Sequence, residues 1–460
     1  MAGLSSPGLG SGLDINGLVT QLVAAEKAPA QAQITRSQTA TVTSLSALGQ
    51  LKGALSAFNT ALDPLKSLES FSTRSATASD PDIFTASATT AAEEGSYDIQ
   101  VESLASAHQL TSDPFAGGAG QVVGTGTLTI ASGAKTFQIS VDATHNTLAQ
   151  IRDAINQSPG NTNLVRATII NAADGAHLVL SATATGKDAA ITVAQADGDG
   201  GLASLVYNPS LITNYTEQRK AADTVVFIAG FEHHSATNTV SDAIEGVNVT
   251  LLKAKPGETF TLTIANDTNA TTGRIKSFVE QYNALAKTIS ALRGYEPTTK
   301  KAGPLLGDAM LRGIESELRN KLTDMVGGLS GPYQSLASIG ITTQKDGTLK
   351  LDADKLKTAM TSNYDGVASL FSSETGIAKR LSDALTPRLA ADAELDVRSK
   401  RLNQKSVELQ KSQATLEARM LKVEARYKAQ FTALDSLLSK LQGDSSFLTQ
   451  QLSSISKIGD

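Results

Sequence analysis

The sequence contains no cysteine and no tryptophan among its 460 residues. Without cysteine there is no disulfide framework, no thiolate metal site and no thiol nucleophile. The 8 tyrosines and 12 phenylalanines are only 4% of the chain, so aromatic platforms for base stacking are scarce. We therefore expect cores built mainly from Leu, Ile, Val and Ala, and we do not expect nucleic acid as a partner.

Long apolar runs are also absent. No stretch approaches the roughly 18 residues of a membrane span, and the first basic residue is Lys27. We expect no membrane insertion and no Sec-type leader. The sequence alone is compatible with a cytoplasmic protein or with export by a route that needs no cleaved leader.

Charge is distributed unevenly along the chain, whose formal net charge is −5. Residues 93–265 carry 8 basic and 17 acidic side chains, whereas residues 266–460 carry 27 and 22. An acidic middle between less acidic ends indicates a solvated central part and ends that pack or meet partners. A chain of this length predicts two to four domains.

The N-terminal region predicts a short helix with an apolar stripe. Asp14 precedes the stripe and is a suitable N-cap, and Pro29 is expected to interrupt the helix. Residues Gly3 to Gly12 form a Ser/Gly-rich lead-in, predicted to be flexible. The stripe, a candidate interface, comprises Ile15, Leu18, Val19, Leu22 and Val23.

A second helical seam follows, built from two apolar series offset by three residues. It is predicted to end or kink near Pro64, and its length suits packing inside a bundle as well as a short coiled coil. We expect these side chains to pack within a stem. They are Leu48, Leu51, Leu55, Phe58, Leu62 and Leu65.

The periodicity then changes to the alternation typical of strands, from about residue 75 to 265. Two strand pairs flanking a helix at 148–155 predict a ββαββ module, and strands at 247–252 and 259–264 are joined by a Pro-Gly turn. Helical spacing returns at Ile275, and Asp346-Gly347 indicates a small hairpin. We therefore predict an α+β multidomain protein with a helical stem from both termini and two inserted, mainly-β domains.

The C-terminal region carries an apolar residue at every seventh position over four heptads. The companion positions are polar at first and apolar later, so the coiled coil is expected to be weak alone and to pair with the N-terminal helix and with neighbouring subunits. A further apolar strip continues to Leu452 and Ile455. The predicted seam is Leu395, Leu402, Leu409, Leu416, Val423, Tyr427, Leu434 and Leu441.

No catalytic or metal-binding motif is apparent. The zinc-protease pattern His-Glu-x-x-His is missing, and the adjacent His233 and His234 are predicted to lie in a loop with Glu232 as ordinary solvated side chains. We expect no cofactor and no enzymatic activity.

Several long motifs, in order along the chain, resemble the flagellar hook-associated protein 2 family. The most specific is GLGSGLDINGLVTQLVAAEKAP at 8–29; residues 126–193 are similar to the hook-type module also found in flagellins. Others are GSYDIQVESLASAHQL (95–110), PLLGDAMLRGIESELR (304–319), IGITTQKDGTLKLDADKL (339–356) and RYKAQFTALDSLLSKLQGDSSFLTQQL (426–452). The resemblance covers nearly the whole chain.

This resemblance implies a secreted, extracellular homo-oligomer at the distal tip of the bacterial flagellar filament, where it retains exported flagellin and promotes its folding and insertion. Implied partners are other copies of the chain, flagellin, the filament end or hook-filament junction proteins, and an export chaperone at the C-terminal helix. An alternative is an extracellular adhesin, or another flagellar axial protein, whose β domains bind host surface ligands.

We expect four regions, each of the first three assembled from two distant segments. They are a terminal helical leg (1–40 with 395–460), a helical stem with a small hairpin (41–74 with 266–394), a β domain (75–118 with 222–265) and a distal β domain containing the hook-type module (119–221).

Overall fold

The structure is a computed structural model that describes residues 14–298 and 300–456. The chain divides into two compact units. One contains the segments up to Leu68 and from Thr272 onward, and the other contains Glu69–Thr271. Since both terminal segments belong to one unit and the strand-rich segment is inserted between them, the predicted α+β class and nested organisation are confirmed. The predicted lead-in from Gly3 to Gly12 lies outside the described residues.

Helices make up most of the first unit, and one short helix lies among the strands of the second. None of the described helices combines the length and the apolar character that a membrane crossing requires. In chain order the helices are α1 (Ile15–Leu62), α2 (Leu68–Phe71), α3 (Leu148–Gln157), α4 (Thr268–Arg293), α5 (Ala309–Thr323), α6 (Ala353–Ser362), α7 (Tyr364–Ser372), α8 (Ile377–Leu389) and α9 (Glu394–Ser456).

Helix α1 is a single helix of 48 residues. It begins as predicted, with the Asp14 carboxylate accepting the Gly17 N–H at 2.9 Å, and it ends at Leu62 before Pro64. The predicted interruption at Pro29 is wrong, because Pro29 lies inside the continuous helix. An internal proline costs about 3 kcal/mol of helix stability. Contacts with α9 on both sides of Pro29, described below, offset that cost.

The C-terminal half of α1 lies in the core of the first unit. All six predicted stem residues between Leu48 and Leu65 are buried. The Phe58 ring packs against Phe278 and Tyr282 of α4, with ring centroids 5.8 and 5.6 Å apart. Fully burying an apolar side chain of this size contributes about 1.5–3 kcal/mol. These buried side chains therefore anchor the C-terminal half of α1 in the helical unit.

The predicted hairpin around Asp346-Gly347 is confirmed by the pairing of 341–343 with 349–351.

All the described strands of the chain follow in order. They are β1 (Arg74–Ala78), β2 (Phe84–Ala88), β3 (Gly95–Ser103), β4 (Ala107–Ser112), β5 (Gly126–Ser132), β6 (Lys135–Val141), β7 (Val165–Ala172), β8 (Gly175–Thr185), β9 (Ile191–Ala196), β10 (Tyr207–Asn208), β11 (Ile212–Thr213), β12 (Tyr215–Arg219), β13 (Thr224–Ile228), β14 (Phe231–Ser235), β15 (Thr239–Ile244), β16 (Val247–Leu251), β17 (Phe260–Asn266), β18 (Tyr295–Glu296), β19 (Lys301–Ala302), β20 (Ile341–Thr343) and β21 (Leu349–Leu351).

The second unit contains two hydrophobic cores, and the first is enclosed by two sheets with the orders β1-β17-β3-β13-β14 and β15-β16-β2. The strands predicted on either side of the Pro-Gly turn, β16 and β17, lie in different sheets. The loop between them therefore crosses from one sheet to the other instead of closing a hairpin.

The predicted loop position of His233 and His234 is wrong, because both residues lie in strand β14. The side chains of this strand are mostly polar, so the sequence shows little of the apolar alternation that marks a strand.

The second core lies among the sheets β11-β10-β9-β5-β6 and β12-β4-β8-β7 and helix α3. The predicted ββαββ order is confirmed, with β5 paired to β6 and β7 to β8. Helix α3 begins with a capping box, in which Thr147 and Gln150 bond each other's backbone N–H groups. Strand β4 pairs with β8, so residues 107–112 belong to this core. The expected limits of the four regions otherwise remain a prediction.

Candidate interaction surface on helices α1 and α9

Helices α1 and α9 run antiparallel. Contacts join Lys52 to Asp396 at 3.7 Å, Gln31 to Gln413 at 2.8 Å, and Glu26 to Tyr427 at 3.1 Å. The residue number falls along α1 as it rises along α9, so the N-terminal and C-terminal helices lie side by side in opposite directions. At 1.5 Å per residue, these contacts span roughly 40 Å.

The middle of this helix pair has a small apolar core. Leu416, Met420 and Val423 of α9 are buried and pack against Val23, Ala30 and Ile34 of α1, with Tyr427 alongside. The core is narrow, as expected for two helices that share one seam. It lies on both sides of Pro29, which explains why α1 continues through that residue.

Polar side chains flank the apolar core. The side-chain amides of Gln31 and Gln413 exchange two hydrogen bonds, each 2.8 Å long. The Tyr427 hydroxyl donates to the Glu26 carboxylate, which also lies 3.8 Å from the Arg419 guanidinium. Paired polar groups inside a helical seam are satisfied in one alignment only, so these contacts define the register of the pair.

The start of α9 is attached to the rest of the helical unit by ion pairs. The Arg398 guanidinium lies 2.5 Å from the carboxylate of Asp308, which also accepts the Leu311 N–H as the N-cap of α5. Burial alone would raise the pKa of Asp308, but the hydrogen bonds from Arg398 and Leu311 outweigh it and lower the pKa. The hydrogen bond from Lys400 likewise lowers the pKa of Asp396.

The predicted C-terminal seam falls into two parts. Among the described residues, its early members are buried or half-buried, whereas its late members are exposed. Leu395, Leu409, Leu416 and Val423 are buried and Leu402 and Tyr427 are half-buried, but Leu434 and Leu441 are exposed.

The exposed part continues as an apolar strip on the distal half of α9. Leu441 is 55% exposed and Phe447 is 61% exposed. Extrapolated from the Glu26–Tyr427 contact, the first residues of α1 lie level with about residue 438 of α9, so roughly 18 residues of α9 extend beyond them. We call this surface the distal strip, and it comprises Leu434, Leu437, Leu441, Phe447, Leu448 and Leu452.

The predicted N-terminal stripe is also divided between buried and exposed side chains. Ile15 and Val19 are buried, and Val23 packs against the apolar core of the helix pair. Leu18 and Leu22 are exposed. The two exposed leucines are one helical turn apart, so they form a small apolar surface of their own on α1.

Sequence reasoning missed the polar residues that position the two helices. Glu26, Gln31 and Asp308 carry no local signal, because their partners are about 90 to 400 positions away along the chain. The one available hint is Gln413, which interrupts the apolar seam. A polar residue at such a position indicates a partner but does not identify it.

Among residues 14–298 and 300–456, no group of three or more His, Asp and Glu side chains is arranged to hold a metal ion.

Comparison with known proteins identifies the family. The model of the flagellar hook-associated protein 2 N-terminus matches residues 11–108, and the model of its C-terminus matches residues 221–443. The B-type flagellar hook-associated protein 2 of Pseudomonas aeruginosa is 37% identical, over 99% of this chain and 98% of that protein. The flagellar hook-associated protein 2 of Escherichia coli K12 is 36% identical, over 98% of both chains.

A solved structure agrees with this assignment. The crystal structure of the D1-D2-D3 domains of the flagellar cap protein FliD from Escherichia coli has a TM-score of 0.60 and 34% identity, covering 77% of this chain and 99% of that one. Family models spanning more than half of the chain, full-length relatives above 30% identity and a shared fold lead to one conclusion: the chain belongs to the flagellar hook-associated protein 2 family.

Proposed function

We propose that this protein caps the distal end of a bacterial flagellar filament, outside the cell. As a homo-oligomer it retains exported flagellin and promotes its folding and insertion into the growing filament. The role is structural and needs no catalysis. The observation that carries the proposal is the distal strip, an apolar surface on a helix that continues past its partner within the chain.

The distal strip supports a role in assembly because it combines a fixed base with an uncovered end. Ion pairs at Asp308 and Asp396 and the Gln31–Gln413 pair hold the proximal half of α9. The distal half then presents apolar side chains at heptad spacing, which suits pairing with helices of neighbouring subunits or of the filament end. Leu18 and Leu22 of α1 add two further exposed apolar side chains.

Before assembly, the same surface is a liability in water. We propose that an export chaperone covers the C-terminal helix until the chain leaves the cell, and that the subunits and flagellin then replace the chaperone. A helix-in-groove contact of this kind reads apolar side chains at i, i+3, i+4 and i+7. The distal strip supplies Leu434, Leu437 and Leu441 at i, i+3 and i+7, and Leu448 lies one further heptad along the helix.

The test uses paired substitutions seven residues apart in cells that lack the natural gene. Leu441→Asp with Leu448→Asp removes apolar contacts from the strip and should abolish motility and leave flagellin in the medium. Ser439→Asp with Ser446→Asp adds the same charge off the strip and should restore motility. A motile Leu441→Asp/Leu448→Asp strain would contradict the proposal.

The adhesin alternative gives a different result. If the β domains served attachment to host ligands, exchange of residues 119–221 for those of a relative would remove attachment and leave motility unchanged. Under the capping proposal the α9 variants stop filament growth regardless of which distal β domain is present. Measuring swarming and surface attachment on the same strains separates the two roles.

A further inference from the structure

Strand β14 leaves one edge of its sheet open. Among the described residues it pairs only with β13, through a tight turn at Ala229 and Gly230, whose φ values are 51° and 85°. In a two-residue hairpin of this kind the residues next to the turn form a hydrogen-bonded pair. By alternation, Phe231, His233 and Ser235 bond to β13, whereas the backbone N–H and C=O groups of Glu232 and His234 point away from the sheet.

A core-facing row of side chains ends uncovered at this edge. Ile99, Ile228 and Phe231 are successive cross-strand partners, so they share one face of the sheet. Ile99 and Ile228 are buried in the core, yet Phe231 is 72% exposed. An added strand at this edge would place a neighbour beside the aromatic ring and also bond the outward backbone groups.

The opposite face of β14 carries a carboxylate and an imidazole. Glu232 and His234 lie two positions apart, so they point to the same side, and their Oε1 and Nε2 atoms are 3.2 Å apart. Both side chains are about half exposed. Like charges at these positions would repel an identical strand, but an acidic and a basic group do not.

Two other edges of the same unit are protected. On β7, the Asn156 amide bonds both the N–H and the C=O of Ala167, at 2.9 and 2.8 Å, and the Asn161 amide does the same for Val165. On β12, a bulge between Glu217 and Arg219 interrupts the ladder. Strand β14 has neither device, so its edge is available for pairing.

We propose that β14 pairs antiparallel with β14 of a second copy of this chain, about a two-fold axis at His233. In this register Glu232 lies opposite His234 of the second copy, and the reverse pair forms by symmetry. Both residues have outward backbone groups, so the two pairs supply four inter-strand hydrogen bonds. Each carboxylate also faces an imidazole across the junction.

The register places the apolar side chain favourably as well. Phe231 lies opposite Ser235 of the second copy and diagonal to His233 of the second copy, within reach of an aromatic ring. This two-fold contact involves residues of the β unit alone. It goes beyond the capping proposal, which depends on α9, and stands or falls independently of it.

The absence of natural cysteine allows a direct test of the register in the full-length protein. His233 of one copy faces His233 of the other at a non-hydrogen-bonded position, where Cα atoms are about 4.5 Å apart and a disulfide can close. His233→Cys should therefore form a covalent dimer under mild oxidation. Ser235→Cys should not, because its symmetry mate is four positions away, about 13 Å.

A cross-linked His233→Cys dimer with little Ser235→Cys dimer supports the proposal. Equal cross-linking of both variants, or none with His233→Cys, overturns it. A charge series in the His233→Cys background provides the second measurement. Glu232→Lys should lower the dimer yield several-fold, and Glu232→Lys combined with His234→Glu should restore it.

The matched control is Glu245→Lys, which makes the same charge change on the turn after β15. It should leave the dimer yield unchanged. Failure of the combined charge exchange to restore the yield, while thermal unfolding shows that variant to be folded, would also overturn the proposed register.

Discussion

The two halves of α9 have the same kind of sequence but different surroundings. The proximal half, from Leu395 to Tyr427, has Leu416, Met420 and Val423 buried against α1 and is fixed by Arg398 and the Gln31–Gln413 pair. The distal half, from Leu434 to Leu452, continues the apolar pattern with no such cover among the described residues. The difference shows that heptad spacing predicts a helix that needs a partner, not where that partner is found.

The alignment of α1 with α9 accounts for only part of the change from buried to exposed. From the Glu26–Tyr427 contact, the first residues of α1 lie level with about residue 438 of α9, so Leu441 lies past Ile15. Leu434 and Leu437 are exposed although they lie level with α1. A helix stabilised on one side only is expected to open locally more easily than one packed along its length. The proximal half is thus a fixed base, and the distal half is the part that we propose takes part in assembly.

The largest effect is the difference in the free energy of unfolding that is expected when an aspartate is placed in the proximal or in the distal half of α9. Leu416→Asp buries a carboxylate in the α1–α9 seam and should cost about 2–4 kcal/mol of the free energy of unfolding of the helix pair. Leu441→Asp introduces the same group at an exposed position and should change that free energy by less than about 0.5 kcal/mol. Urea unfolding followed by helical ellipticity measures both.

The order of the same two variants should be reversed when assembly of the oligomer is measured instead of stability. Leu441→Asp should lower the sedimentation coefficient of the oligomer while the subunit stays folded. If Leu441→Asp destabilised the subunit as much as Leu416→Asp, the distinction between the two halves of α9 would be wrong.

A smaller effect is expected from the ion pair at the base of α9. Since the pKa of Asp308 is lowered in the folded state, its contribution is present above the ordinary value of 3.8 and is lost as pH falls through the folded pKa. Asp308→Asn should cost about 1 kcal/mol at pH 7. The difference between variant and wild type should shrink as the pH falls below about 4, as thermal unfolding at several pH values would show.

If the stability of Asp308→Asn equalled that of the wild type at every pH from 7 to 3, the ion pair between Arg398 and Asp308 would make no contribution to stability. Asp392→Asn is a suitable control because Asp392 is an exposed carboxylate near the same helix terminus, bonded to Lys400 at 2.6 Å. Exposed ion pairs of this kind contribute little.

The smallest effect is expected from the polar pair that fixes the register. Gln413→Leu leaves the amide of Gln31 without its partner and should cost about 1 kcal/mol. The double variant Gln31→Leu/Gln413→Leu should recover that stability, because two leucines can pack together in the seam. A double-mutant cycle by urea unfolding gives the coupling energy, and additive effects would show that the two amides do not act as a pair.

Local patterns were sufficient to predict much of the fold. Asp14 caps α1, Asp346-Gly347 turns a hairpin, and the strand pairs around α3 form as predicted. Each of these features depends on residues within about twenty positions of one another. The Gly-Ser-Gly-Leu-Asp motif and its companions also indicated the family, which the comparisons confirmed.

Predictions failed where the deciding partner is distant in sequence. Pro29 does not break α1, because α9 packs alongside it from about 400 positions away. The Pro-Gly turn between β16 and β17 forms as predicted, but the two strands belong to different sheets, since β17 pairs with β1 and β3. The loop predicted for His233 and His234 is a separate error, because their partner strand β13 lies only a few positions away along the chain.

The sequence by itself therefore determined which segments are helices or strands, which faces are apolar and which family the chain belongs to. Hydrophobic periodicity and turn residues act over a few positions, and they are legible without a structure. Only the tertiary structure decided which apolar faces are covered within the chain. That outcome depends on the alignment of α1 with α9 and on the pairing at sheet edges, both set by contacts between residues far apart in sequence.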